Sequence, residues 1–184
     1  MKSILSIFVL VILFASCIKG VNNLPVAVKS TVPKQVKAIQ RDTIPDGGSF
    51  KVKIQKDSLS ADETMVIFNH SASTMYINTQ DAVYFPGYGI ASIASLTSDG
   101  MPCAIQKLPY IQESPIGLSV KIKNDGVYIL NLSYLNMVPP TIRVWLKDKY
   151  TQDSLDMRVG NYAFQVIKSD TNTYGTGRFK IVLR

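Results

Sequence analysis

Acid–base and metal chemistry need titratable side chains gathered in one place, and this chain is sparing with them. His70 is its one histidine. It stands in a polar stretch with neither the partners of a catalytic triad nor the spacing of a zinc site, and it reads as a surface loop residue. Asp62, Glu63 and Asp81 form the acidic set that folding could bring together, and oxygen ligands on flexible loops suit calcium. No Asp-x-Asp-x-Asp run accompanies them, so turn capping by their carboxylates is the plainer reading. Two cysteines, Cys17 and Cys103, lie at the end of the leader and in mid-domain. They do not read as a disulfide framework, and Cys103 is expected to be buried and inert. No catalytic residue, cofactor or metal is assigned, and an enzyme is not expected.

Binding chemistry is better supplied. Twenty Lys and Arg outnumber 13 acids, for a net charge of +7. Lys51 and Lys53, Lys121 and Lys123, Arg143 and Lys147, and Arg178 and Lys180 each alternate with apolar residues, which places them on outer strand faces. Such stripes serve either as solvated faces that discourage edge pairing or as a platform for acidic polysaccharide. On the second reading Trp145 or Tyr150 stacks on a sugar. Spread over a β surface, the charge otherwise supports solubility, and nucleic acid is not an expected partner.

The elements that must position these residues begin with a leader. Met1-Lys2-Ser3 is a short positive start, Ile4 to Phe14 is almost continuously apolar, and Ala15-Ser16-Cys17 follows. The run is too short for a stable span and reads as an export signal over residues 1–17. Phe14-Ala15-Ser16-Cys17 resembles the bacterial lipobox, which implies cleavage before Cys17 and a lipid on that residue. Ordinary cleavage after Ser16 or near Gly20 is the alternative. Residues 18–48 carry Pro25, Pro33 and Pro45 with several Lys, and read as an extended basic linker.

Residues 49–184 read as one all-β domain. Phe50, Val52 and Ile54 alternate with polar neighbours, and so do Ile116 to Ile122, Tyr128 to Leu132, Ile142 to Leu146, Tyr162 to Val166 and Phe179 to Leu183. No 3.6-residue period competes. Asn124-Asp125-Gly126 predicts a tight hairpin between its flanking strands, and Tyr162–Val166 is expected to pair with Phe179–Leu183. Eight to ten short strands (a rough number, from the spacing of turns) predict an antiparallel β-sandwich, immunoglobulin-like or jelly-roll-like.

Val144-Trp145-Leu146-Lys147-Asp148-Lys149-Tyr150-Thr151, then Tyr162-Ala163-Phe164, then Gly177-Arg178-Phe179-Lys180-Ile181-Val182, carry a resemblance. Upstream it extends to Asp62-Glu63-Thr64 with Phe68, Asp81-Ala82, Ser95-Leu96, Ala104-Ile105, Leu108-Pro109, and Ile116 with Leu118. In this order they resemble the β-sandwich module of large secreted, adhesin-like proteins of Bacteroidetes. The resemblance implies a non-catalytic surface or secreted module and supplies no agreed ligand; the expected function is a cell-envelope adhesion or interaction module that binds a protein or glycan. In that family the module often precedes a type IX sorting domain. Here the strands run to Arg184, and a lipidated Cys17 is expected to provide attachment instead. The expected location is extracytoplasmic: an outer-membrane or cell-surface lipoprotein, otherwise a secreted protein. A second reading is a carbohydrate-binding accessory lipoprotein of a glycan-processing system.

Asp42-Thr43-Ile44, Asp57-Ser58-Leu59 and Asp153-Ser154-Leu155 match the pattern that exported Bacteroidetes proteins use for O-glycosylation. Thr43, Ser58 and Ser154 are therefore candidate acceptors in expected loops, with ordinary turn chemistry as the alternative. The anchor has a direct test. Cys17→Ser should move the protein out of the membrane fraction, because stable anchoring takes two or more acyl chains; unchanged retention in the membrane would defeat the lipoprotein reading.

Overall fold

The structure, a computed structural model, describes residues 42–57 and 60–184. The expected signal peptide, Cys17, the linker up to residue 41, and Ser58 lie outside the described residues. Eleven strands follow one another: β1 (Ser49–Gln55), β2 (Ala61–Phe68), β3 (Ala82–Val83), β4 (Ala91–Leu96), β5 (Pro102–Leu108), β6 (Pro115–Ile122), β7 (Gly126–Asn136), β8 (Val144–Asp148), β9 (Asp153–Asp156), β10 (Tyr162–Val166) and β11 (Gly175–Leu183). A single 3-10 turn, Thr171–Thr173, interrupts them. The all-β expectation holds among the described residues, where no helix is long and apolar enough to cross a membrane.

The strands begin after a turn whose chemistry is local. Gly48 N donates to Pro45 O at 2.9 Å, and Gly47 takes φ +84°, a value that Gly alone adopts without strain. Upstream of it, Ile44 already packs in the core. From Phe50 onward the alternation works as read: Phe50, Val52 and Ile54 are fully buried, as are Leu118, Val120, Leu130, Val144, Phe179 and Ile181.

Pairing order is β10-β7-β1-β2-β5-β4-β6-β11-β8-β9, with β3 beside β5, in one mixed sheet that curls nearly into a barrel. Three expectations about neighbours are corrected here. The sheet is not wholly antiparallel, because β2 and β5 run parallel from Met65↔Ile105 to Phe68↔Leu108. The Asn124-Asp125-Gly126 turn does not close a hairpin: β6 pairs with β4 and β11, while β7 pairs with β1 and β10. Gly126 has φ +137°, far from the left-handed value a tight hairpin turn needs. Likewise β10 and β11 do not pair; they face each other, with the rings of Phe164 and Phe179 4.8 Å apart. In both cases the two successive strands contribute their buried residues to one core without lying side by side.

At β5 the curl has a fork. Cys103 and Pro102 pair with Ser95 and Leu96 of β4, and from Ile105 the strand pairs with β2 instead. Thr64 Oγ1 bridges the two branches, donating to Cys103 O at 2.9 Å and accepting from Ser95 N at 3.0 Å. Cys103 is fully buried at this seam, and its burial pushes the thiol up to about 11, so the thiolate is suppressed.

The last strand lies between β6 and β8, not at an edge. It buries Phe179, Ile181 and Leu183, each worth about 1.5–3 kcal/mol, a sum comparable to the roughly 5–15 kcal/mol stability of a whole domain. Truncation after Thr176 should therefore abolish cooperative unfolding in a calorimetric scan; a truncated chain that still melts in one sharp transition would contradict this placement.

Candidate functional site

The alternation of β8 turns Val144, Leu146 and Asp148 to the same inner face, so a carboxylate occupies what is otherwise a core position. It is fully buried, and so is its partner Arg178. The sequence places Arg178 with Lys180 on an outer stripe. The structure corrects this, because the β11–β6 register shifts between Gly175 and Phe179, and in that irregular stretch Arg178 turns inward.

The pair is well satisfied. Arg178 Nε and Nη2 donate to Asp148 at 3.0 and 2.7 Å, while Nη1 donates to Gln165 O at 3.2 Å and to Thr173 O. Asp148 also accepts from Tyr150 N at 2.9 Å and from the Tyr162 hydroxyl at 3.0 Å. Three rings surround the guanidinium: Phe179 at 4.6 Å, Phe164 at 4.8 Å and Tyr150 at 5.1 Å. Burial by itself would raise the Asp148 carboxyl. The Arg178, Tyr150 and Tyr162 bonds outweigh it and hold the group below the ordinary carboxylate range.

Arg178 of this pair lines a cleft of about 540 Å³, a size that suits a small ligand or a few sugar units. Its walls are Tyr150, from the β8–β9 turn, and Tyr174, from the loop before β11. Lys149, Thr171, Asn172 and Thr176 complete the rim, and Gly175 and Gly177 leave it open. A Cβ added at either glycine would meet nothing within 4 Å, although Gly175 takes φ +101°, which favours glycine there. Both tyrosines are held. Tyr150 donates to Asp170 at 3.1 Å, a bond that raises its hydroxyl and keeps it a donor, and Lys168 Nζ sits 4.2 Å from the Tyr174 ring. A second cleft of about 380 Å³ adjoins the first through Lys149 and Arg178, and adds Lys147, Lys180, Arg184, Asp153 and Ser154.

The other residues singled out from the sequence are dispersed. Trp145 pairs with Val182 and Asp156 beneath the Arg184 guanidinium at 5.1 Å, and lines neither of these two clefts; Tyr150 is joined by Tyr174 instead. His70 is exposed and bonded to Asp46. Asp62 accepts from the Tyr84 hydroxyl at 2.6 Å and Ile93 N at 3.0 Å, Glu63 pairs with Lys51, and Asp81 accepts from Ile77 N and Lys107 N. The three carboxylates thus serve three separate sets of partners. Thr43 is exposed in coil, beside the buried Ile44. Ser154 is exposed too, but in edge strand β9 rather than in the expected loop. Tyr174 and the buried role of Arg178 escape sequence reading, since neither sits in a regular alternation.

The ion pair sets a pH dependence. A carboxyl lowered on folding contributes stability above its unfolded value, near 3.8, and loses that contribution as pH falls through its folded value. Asp148→Asn should cost about 3–5 kcal/mol at neutral pH, because it leaves a buried guanidinium unpaired. Its melting temperature should also fall less steeply than wild type below about pH 4. Parallel acid limbs in a thermal-melt series would show that Asp148 does not drive this effect.

Comparison with known families, curated proteins and solved structures returns no match for this chain, so a role for the cleft has to be argued from its geometry and chemistry.

Proposed function

We propose that this chain is a non-catalytic, exported cell-envelope module that engages a protein or glycan partner through the Tyr150–Tyr174 cleft. The observation that carries the reading is the cleft itself. Two tyrosine rings are fixed by cations, the buried Arg178 is part of the lining, and hydroxyl and amide groups line the rim. Aromatic rings with convergent polar groups are the usual equipment of a binding site. Export and a lipid on Cys17 would put such a site on the cell surface, with the membrane as its second contact.

The two facing halves of the curled sheet fit the layers of an immunoglobulin-like or jelly-roll-like sandwich, as expected for an adhesin-like Bacteroidetes module. Binding residues then belong on the loops at one end, which is where Tyr150 and Tyr174 sit. The accessory-lipoprotein reading has its own support in the tyrosine walls, since sugar faces stack on aromatic rings and sugar hydroxyls match Thr171, Asn172 and Thr176.

Gly177→Phe tests the cleft, because a Cβ added at this lining position meets nothing within 4 Å and the backbone there does not take the left-handed φ that favours glycine. It should lower partner binding more than about tenfold and change stability by no more than about 0.5 kcal/mol. An array of plant, host and bacterial polysaccharides probed with wild type and variant reads this out. Binding that survives the variant unchanged would remove the cleft from the proposal, and an array that stays blank would remove the glycan reading.

A further inference from the structure

The outer face of β8 and β11 carries an arrangement that the fold alone does not require. Lys147 and Lys180 are directly opposite each other in the antiparallel pair, so their side chains leave the same face side by side. Like charges in that position destabilise a sheet. Their lateral neighbours are Ser154 and Gly117, which offer no compensating charge. Lys149 follows in the next turn. None of the ion pairs among the described residues involves Lys147, Lys149 or Lys180, and all three are exposed. Of the two acids that line the second cleft, Asp148 is buried against Arg178 and Asp153 is exposed, its carboxylate accepting from the backbone N of Ser154 at 2.7 Å.

These cations are placed where a ligand leaving the aromatic cleft would run. The two clefts share Lys149 and Arg178, and Lys147 and Lys180 line the second. From Lys147 to Tyr150 is three residues of strand and turn, at most about 10 Å, and with Lys180 opposite Lys147 the charges form a short row rather than a point. A row of unpaired ammonium groups continuing from two tyrosine walls suits a chain with repeated negative charges and repeated sugar faces.

We infer that the ligand is an acidic polysaccharide, received by Tyr150 and Tyr174 at its sugar faces and by Lys147, Lys149 and Lys180 at its carboxylates or sulfates. This rests on the cleft proposed above as the binding site. The hydroxyl and amide groups of Thr171, Asn172 and Thr176 on the rim can bond the hydroxyls of such a chain, and the thymidine polymer in the test below separates it from nucleic acid.

The test uses the full chain and four polymers: polygalacturonate, dextran sulfate, unsubstituted dextran and a thymidine 20-mer, titrated calorimetrically at low and moderate salt. Wild type should bind polygalacturonate or dextran sulfate in preference to dextran, and which of the two tells carboxylate from sulfate. The double variant Lys147→Ser/Lys180→Ser should weaken that binding about tenfold and flatten its salt dependence. Its melting temperature should be equal to or above that of wild type, since a repulsive pair is removed. Gly177→Phe should weaken the same binding. Equal affinity for dextran and the acidic polymers, indifferent to the lysine variant but lost in Gly177→Phe, would overturn the charge reading and leave the cleft standing. Acidic-polymer binding that is lost in the lysine variant but untouched by Gly177→Phe would overturn the joint site. Tighter binding of the thymidine 20-mer than of either acidic polysaccharide, or no binding to any of the four, would also overturn the inference.

Discussion

An arginine and an aspartate out of contact with water can persist only if nearly every polar atom they carry is answered from within the protein. Removing two charges from water costs several kcal/mol each, and their attraction returns this only when the remaining donors and acceptors are bonded as well. Arg178 and Asp148 meet that condition by drawing on four separate segments. Asp148 ends β8, Arg178 stands in β11, Gln165 O belongs to β10, and Thr173 O closes the 3-10 turn. The Tyr162 hydroxyl adds a second bond from β10, itself held by Thr151 at 3.0 Å. Strand β10, which pairs with neither β8 nor β11, is thereby fixed to them at one end of the fold, and the loops carrying Tyr150 and Tyr174 inherit that rigidity.

How far the sequence foretold this divides along a physical line. Alternation reports which face of a strand is apolar, and it placed Phe50, Val52, Ile54, Leu118, Phe164 and Phe179 in the core correctly. It carries no information about which strand lies alongside which. Asn124-Asp125-Gly126 has the composition of a tight hairpin, yet its flanking strands have other neighbours on both sides. The same is true of β10 and β11. Short-range turn chemistry lost to the need of two long apolar faces to cover each other. The parallel pairing of β2 with β5 was out of reach for the same reason, since nothing in either segment marks the direction of a partner forty residues away (roughly, from Met65 and Ile105). At the site, Tyr150 was legible as an exposed aromatic beside a polar turn. Tyr174 was not, because its position depends on a loop held by non-periodic bonds, among them those of Thr173 Oγ1 to Ile167 and Asp170 and of Arg178 to Thr173 O.

The fork at β5 shows the cost of closing a sheet this way. Where β4 and β2 both approach one side of β5, the backbone cannot pair regularly with each, and side chains take over part of the bonding. Thr64 and Ser95 do so with a shared set of bonds to Cys103 O. Gln106 reaches back to Leu96 O at 3.4 Å, but its own carbonyl oxygen finds no partner among the described residues. A buried acceptor left in that state typically costs about 1–3 kcal/mol. The seam is thus less well satisfied than the Arg178–Asp148 pair, whose donors and acceptors are bonded to several segments.

The contrast between Arg178 and Lys180 follows from the same accounting. They are two residues apart on one strand, with the same formal charge and opposite fates. A guanidinium is planar, more weakly hydrated than an ammonium, and has five donors in a fixed fork, so it can be surrounded by rings and still direct a bond to each acceptor. Lysine's ammonium is compact and strongly hydrated; placed where Arg178 sits, it could not reach Asp148, Gln165 O and Thr173 O together. Lys180 accordingly stays in water opposite Lys147, where its field reaches whatever approaches the outer face. One strand therefore uses two cations for two ends: the one that tolerates burial holds the cleft in shape, and the one that does not supplies its charge.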